Sequence, residues 1–131
     1  MAKSPGHQKF PDHQVREQQV GQPMKVVVDG ELIAASIDVI RVVEDRNPVR
    51  YYFPRADVSM RHLEPTSTTT TCPFKGEANY YTLKVGGKRW PDSVWSYENP
   101  YDEHRDLRGR LAFYEERIPG IQIGDAQASQ T

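Results

Sequence analysis

The chain has 131 residues, a length that fits one domain, and its 17 Lys+Arg against 18 Asp+Glu leave a formal net charge of -1. That balance argues against a general nucleic-acid binder, which needs a basic face to displace counterions from phosphates. Hydrophobic residues make up 37% of the chain and cysteine occurs once; no stretch reaches the roughly 20 apolar residues of a spanning helix, no leader follows the first charges, and no intramolecular disulfide can form, so a soluble cytoplasmic protein is expected.

Residues 1–23 carry three prolines and five glutamines with little apolar material. Such a segment cannot offset the entropy of its own ordering, so a disordered N-terminal tail is expected there. A flexible C-terminal tail is expected over 119–131. The folded unit is then 24–118. Its first signal is Asp29-Gly30 between two apolar runs, Met24–Val28 and Glu31–Ala34, a pattern that predicts a tight hairpin because the turn needs positive φ. Ile37–Val43 is rich in β-branched residues. Asp45–Pro48 reads as a turn and Val49–Phe53 as a strand ended by Pro54.

The threonines before Cys72 admit a low-complexity linker, but β-branched residues suit a pleated sheet and a strand is expected. Pro73–Gly76 turns the chain. In 78–85, Asn79, Tyr81, Leu83 and Val85 share one face, and Ala78, Tyr80, Thr82 and Lys84 the other. Gly86-Gly87 is a second hairpin turn. Lys88–Trp90 and Ser93–Tyr97 continue the sheet around Pro91-Asp92. Leu107, Leu111, Tyr114 and Ile118 recur at helical spacing, which predicts one C-terminal helix capped by Asp102, with Gly109 a costly interior residue. The predicted fold is mainly β: a small antiparallel two-sheet or barrel-like domain with one C-terminal helix.

Several residue types can carry chemistry. Cys72, with Lys75 three positions on, is either a small buried residue or a nucleophile. Arg55 and Asp57 stand two residues apart beyond an aromatic strand. They are either a surface pair, or an anion clamp with an orienting or basic carboxylate. Lys75-Gly76 can present an ammonium and amides to an anion, or be a solvated turn. Trp90, Trp95, Tyr97 and Tyr101 lie close together behind Tyr80 and Tyr81; Trp95 reads as core, Tyr97 and Tyr101 as candidates for a cleft wall. One Cys with His62 and His104, and no paired close spacing, predicts no structural zinc.

The runs YYFPRADV, TCPFKGEANYYTLKVGG and DSVWSYENP, followed by LAFYEERI, resemble the bacterial domain-of-unknown-function 427 family. The likeness spans about 24–118, and its most specific pieces are Cys72–Gly76 with Tyr80, and Val94–Tyr97 with Pro100. The resemblance implies a β-tent-like fold, similar to methionine sulfoxide reductase B and the cereblon drug-binding domain. Those relatives often hold zinc through two CxxC pairs. This chain lacks the four ligands, so a metal-free domain without cofactor is expected. The family is also labelled nucleotidyltransferase-like, but the chain has neither a DxD pair nor a phosphate-cradling motif.

Three functions stay open. One is a module that binds a small anionic or planar ligand through Arg55, Lys75, Tyr80 and Tyr97, converging on one concave site. The second is a small enzyme using Cys72 or Asp57. The third is a protein-interaction module. No nucleic-acid or membrane partner is expected, and a homodimer is compatible with the aromatic content.

Overall fold

The computed structural model describes residues 2–126. Ten strands dominate: β1 (Val15–Gln19), β2 (Met24–Val28), β3 (Glu31–Ser36), β4 (Ile40–Glu44), β5 (Arg50–Tyr52), β6 (Leu63–Cys72), β7 (Gly76–Val85), β8 (Lys88–Tyr97), β9 (Leu111–Phe113) and β10 (Ile121–Asp125), preceded by a short helix, α1 (Pro5–Lys9). They form three antiparallel sheets in the orders β1-β4-β5, β10-β2-β3 and β6-β7-β8-β9. No barrel closes. Reciprocal Phe53–Leu111 backbone hydrogen bonds of 2.9 Å each join the β5 end of the first sheet to β9 of the third. No helix among the described residues is long and apolar enough to cross a membrane.

Two cores follow from the alternation of side chains along these strands. Val94 of β8, Tyr81 and Leu83 of β7, and Leu111 and Phe113 of β9 pack with Val26 and Val28 of β2. On the other face of the same strands, Trp95, Tyr97, Ala78 and Ala112 pack with Ile40 and Val42 of β4 and Tyr52 of β5. The β7–β9 part of this sheet is therefore buried on both sides, while β6 past Leu63 is half-buried or exposed. The alternation read over 78–85 holds, as does the Asp29-Gly30 hairpin, where Asp29 and Gly30 both take positive φ.

Two bulges shape the middle of this sheet. The register slips between Pro65 and Thr69 on β6 and between Leu83↔Trp90 and Tyr81↔Val94 in the β7–β8 ladder. Asp92, in the β8 bulge with φ 51, accepts hydrogen bonds of 2.7 Å from both Thr66 Oγ1 and Thr68 Oγ1 of the β6 bulge. One carboxylate thus holds two irregular segments in register. It also gives the threonine run a structural use beyond β propensity.

Three expectations change. No helix forms from the stripe Leu107–Ile118. A 3-10 turn covers Asp102–Leu107, β9 follows, and a second 3-10 turn covers Glu115–Arg117. Gly109 sits at φ 72, which stops helix propagation, and Leu111–Phe113 gain more by pairing with β8. The apolar spacing reflects burial from two separate turns and the strand between them. At the N-terminus, residues 4–19 pack on the body rather than trailing as a tail. Ser4 is fully buried, its Oγ and the Gly6 amide both donate to the Pro73 carbonyl at 2.8 Å, and β1 pairs with β4. Backbone and polar bonds, not apolar burial, hold this segment. At the C-terminus, β10 completes a sheet by pairing with β2; the rest of the expected tail, 127–131, lies outside the described residues.

The Asp92 clamp has a direct check. Asp92→Gly keeps the positive φ without strain but removes both threonine bonds, so the loss isolates the carboxylate. Hydrogen bonds to a charged group contribute about 1.5–3 kcal/mol each. Urea unfolding of Asp92→Gly should show a loss of about 2 kcal/mol or more. A midpoint equal to the parent chain would remove the clamp from the account.

Candidate functional site

The curled face of the joined β4, β5, β8 and β7 strands leaves a hollow of about 240 Å3. Its floor is aromatic. Trp95 and Tyr97 point into it from β8, Tyr52 from β5 and Tyr80 from β7, with Tyr114 beyond β9. Cross-strand pairing sets this arrangement: Tyr80 faces Trp95 and Ala78 faces Tyr97 in register. Trp95 Nε1 donates to Tyr52 Oη at 3.1 Å, and Tyr80 Oη pairs with Thr70 Oγ1 at 2.9 Å. Burial pushes the Tyr97 hydroxyl well above the usual tyrosine range. It does the same for Tyr52, more than offsetting the Trp95 bond. Both phenols stay protonated and available as donors.

Charge enters from two directions. Glu44 continues the inward face of Ile40 and Val42 at the end of β4, and Lys75 reaches it from the Pro73–Gly76 turn. Their side chains form a short ion pair and are both nearly buried. His13 Nε2 meets the other oxygen of Glu44 at 2.9 Å, and the His13 ring stacks on Phe74 with centroids 4.1 Å apart. Burial pushes the Glu44 carboxyl up, but the bond and charge of Lys75, then of His13, outweigh it and hold the group below the usual glutamate value. Arg50 enters from β5. Its guanidinium lies 5.3 Å from the Trp95 ring centre and 5.1 Å from that of Tyr114. It bonds Glu116 through both terminal nitrogens, at 2.8 and 3.1 Å.

Of the expected site residues, Lys75, Tyr80 and Tyr97 meet around this hollow, and Cys72, half-buried and unpaired, is part of its wall. Arg55 is elsewhere. It donates to Gly109 O at 3.1 Å, Tyr81 Oη at 3.0 Å and Ser96 Oγ at 3.2 Å, and approaches Glu98 at 3.4 Å. Ser96 and Tyr81 alternate with Tyr97 and Tyr80, so Arg55 and Lys75 stand on opposite faces of one sheet. The single site uniting them does not form, because period-two alternation sends adjacent positions apart. Asp57 is exposed and accepts a 2.7 Å bond from Ser36 Oγ, away from the hollow. Tyr101 is also outside its lining.

Arg50, Glu44 and Tyr114 were not among the expected contacts. A signal existed for two of them. Arg50 shares the inward parity of Tyr52, and Glu44 that of Val42; a charged side chain on a core face at a strand end marks a lined cavity. Among the described residues, no group of three or more His, Cys, Asp or Glu side chains is placed to hold a metal ion. A family model described as a domain of unknown function (DUF427) matches residues 16–124. No curated protein matches the chain.

Two outcomes follow from this geometry. Arg55→Ala strips three oxygens of their donor, but the side chain is about a third exposed and the loss is discounted accordingly; urea unfolding should show a drop of about 1–2 kcal/mol, and an unchanged midpoint would make Arg55 a free surface group. For Glu44 the folded carboxyl is depressed, so its contribution is present above the ordinary value of 4.5 and is lost as pH falls below it. Glu44→Gln should lower the melting temperature at pH 7 and converge on the parent chain in acid. Parallel curves at both pH values would show that the pair contributes nothing.

Proposed function

The chain belongs to the family defined by the domain of unknown function DUF427, and we propose its role from the hollow itself: it binds a small planar anion, a single ring bearing a carboxylate or similar acidic group. The observation that carries this reading is the company Arg50 keeps. Lys75 is already neutralised inside the hollow by Glu44, with both side chains nearly buried. Arg50 has its carboxylate partner, Glu116, outside the lining and half-exposed at 51%. With its partner in solvent, the guanidinium fork can exchange Glu116 for an incoming carboxylate and keep the same bidentate geometry, now beside the rings of the hollow.

The flat surfaces of Trp95, Tyr97 and Tyr80 offer the ring its contact, and the protonated phenols and remaining Lys75 donors offer hydrogen bonds. Size narrows the class. A volume of about 240 Å3 is below the roughly 300–1,000 Å3 of drug-sized sites, which favours one ring over a nucleotide. The curling of the joined sheets around the hollow is our reason for reading the fold as β-tent-like. Cys72 in the same wall supports a second reading, thiol chemistry on the bound molecule. Asp57, outside the hollow, has no part in either.

A thermal-shift screen of single-ring carboxylates, sugar phosphates and uncharged ring analogues tests the proposal. A true ligand at 100 times its Kd stabilises by about 2.7 kcal/mol, and acids should shift the transition where the uncharged analogues do not. Arg50→Ala should weaken that binding at least tenfold, while Arg55→Ala leaves it unchanged. Equal shifts from acids and neutral analogues, or full affinity in Arg50→Ala, would end the anion reading. Rapid alkylation of Cys72 by iodoacetamide at neutral pH, blocked by the same acids, would favour the thiol reading.

A further inference from the structure

The N-terminal segment meets the hollow from behind. Ser4 Oγ and the Gly6 amide both donate to the Pro73 carbonyl at 2.8 Å, in the turn that carries Cys72 and Lys75. Gly6 is required by that approach: a Cβ there would lie 2.7 Å from Pro73 O and 2.8 Å from the Phe74 ring. The segment is fastened beside this contact by two histidines. His7 Nε2 and His104 Nε2 are 2.8 Å apart, and their ring centres only 5.0 Å apart, so the bond runs nearly along the line joining the rings. We propose that residues Ser4–Phe10 form a proton-sensitive latch on the Cys72–Gly76 turn, closed while His7 and His104 share one proton and opened when each carries its own.

The restriction to one proton comes from the second nitrogen of His104. Nδ1 lies 2.5 Å from Glu17 Oε2 on β1 and must donate to that carboxylate. His7 Nδ1 can take a proton without disturbing the contact, so the geometry restricts only the facing Nε2 pair, which has room for one proton. With one proton between them, one nitrogen donates and the other accepts. With two, the N–H groups meet head to head; His104 is only 3% exposed, so the half-buried His7 is the partner that must turn away. Other charged groups around the pair are Glu103, which accepts the Ser4 amide at 2.9 Å, and His13 and Glu44 on the far side of Phe74. Glu103 favours a proton on His7 but does not change the geometry that refuses a second one between the facing nitrogens. Consistently, burial and then the neighbouring His104 hold His7 below its ordinary value.

The sign is that of a base depressed in the closed state. The open segment binds more protons, so closure weakens as pH falls through the ordinary imidazole value of 6.5. Opening is bounded on one side by the His13–Glu44 contact and on the other by β1, which stays paired with β4. Release removes both donors from Pro73 and frees the turn that sets Lys75 and Cys72. Acid would thereby loosen the ligand's wall, a consequence that rests on the binding reading above; the latch itself does not.

Hydrogen exchange of the full chain at pH 7.5 and 5.0, corrected for intrinsic rates, tests it. Residues 4–10 should lose protection at least tenfold in acid while β7 and β8 keep theirs. His7→Gln, whose amide can serve as donor or acceptor, should be protected equally at both pH values, and Gly6→Ala should be open at both. Unchanged protection of 4–10 in the parent chain, the same acid loss in His7→Gln, or simultaneous loss from β7 and β8 would each overturn the latch. Failure of the ligand reading appears in the thermal-shift screen and leaves the exchange result untouched.

Discussion

Neighbouring residues of β8 face opposite ways, and both directions are buried. Val94 and Ser96 turn toward β2 and its partners; Trp95 and Tyr97 turn toward β4 and β5. A sheet solvated on one side would place every second residue in water. Here each position must be compatible with a packed environment, and the polar ones need partners. Ser96 finds Arg55, and Tyr81 beside it accepts from Arg55 while donating to Glu98. The guanidinium therefore closes one core. The hollow in the other core exists because its rings, Tyr52, Trp95 and Tyr97, meet at angles rather than flat, with Tyr52 and Trp95 at 82°, and leave space that β4 and β5 do not fill.

The two cations of the hollow look alike in a sequence and differ in the fold. Lys75 hangs from a turn and is drawn inward to a buried carboxylate. Arg50 projects from a strand across Trp95 and keeps a solvent-facing partner. A buried pair gains Coulomb energy in low dielectric but must recover the desolvation of both ions; Glu44 recovers part of it through His13. An exposed partner gains little and is easily exchanged. The difference in partner exposure, rather than the number of positive charges, determines which cation can meet a ligand.

What could be read from residues alone was the local alternation: the Asp29-Gly30 hairpin, the two faces of 78–85, and the aromatic content of 95–97. These depend on period-two geometry and on turn conformations that few residues adopt. The convergence of Arg55 with Lys75 could not be read, because it depends on which face of a shared sheet each segment reaches. The Leu107–Ile118 stripe misled for a related reason. Its spacing matches a helix, but Gly109 breaks the backbone, and the apolar residues are buried from separate short turns and a strand.

The N-terminal segment was hidden by a different property. Hydrophobic patterning detects segments that are ordered by burying apolar surface, and residues 4–19 bury almost none. Their order comes from a serine and a glycine amide on one carbonyl, two histidines within bonding or stacking distance of the body or its turn, and a polar edge strand. Such contacts are directional and low in apolar area, so composition assigns them to disorder. They are also the contacts that protonation can change without disturbing either core. The same chemistry that made the segment invisible to hydrophobic reading makes it separable, in energy, from the sheets it covers.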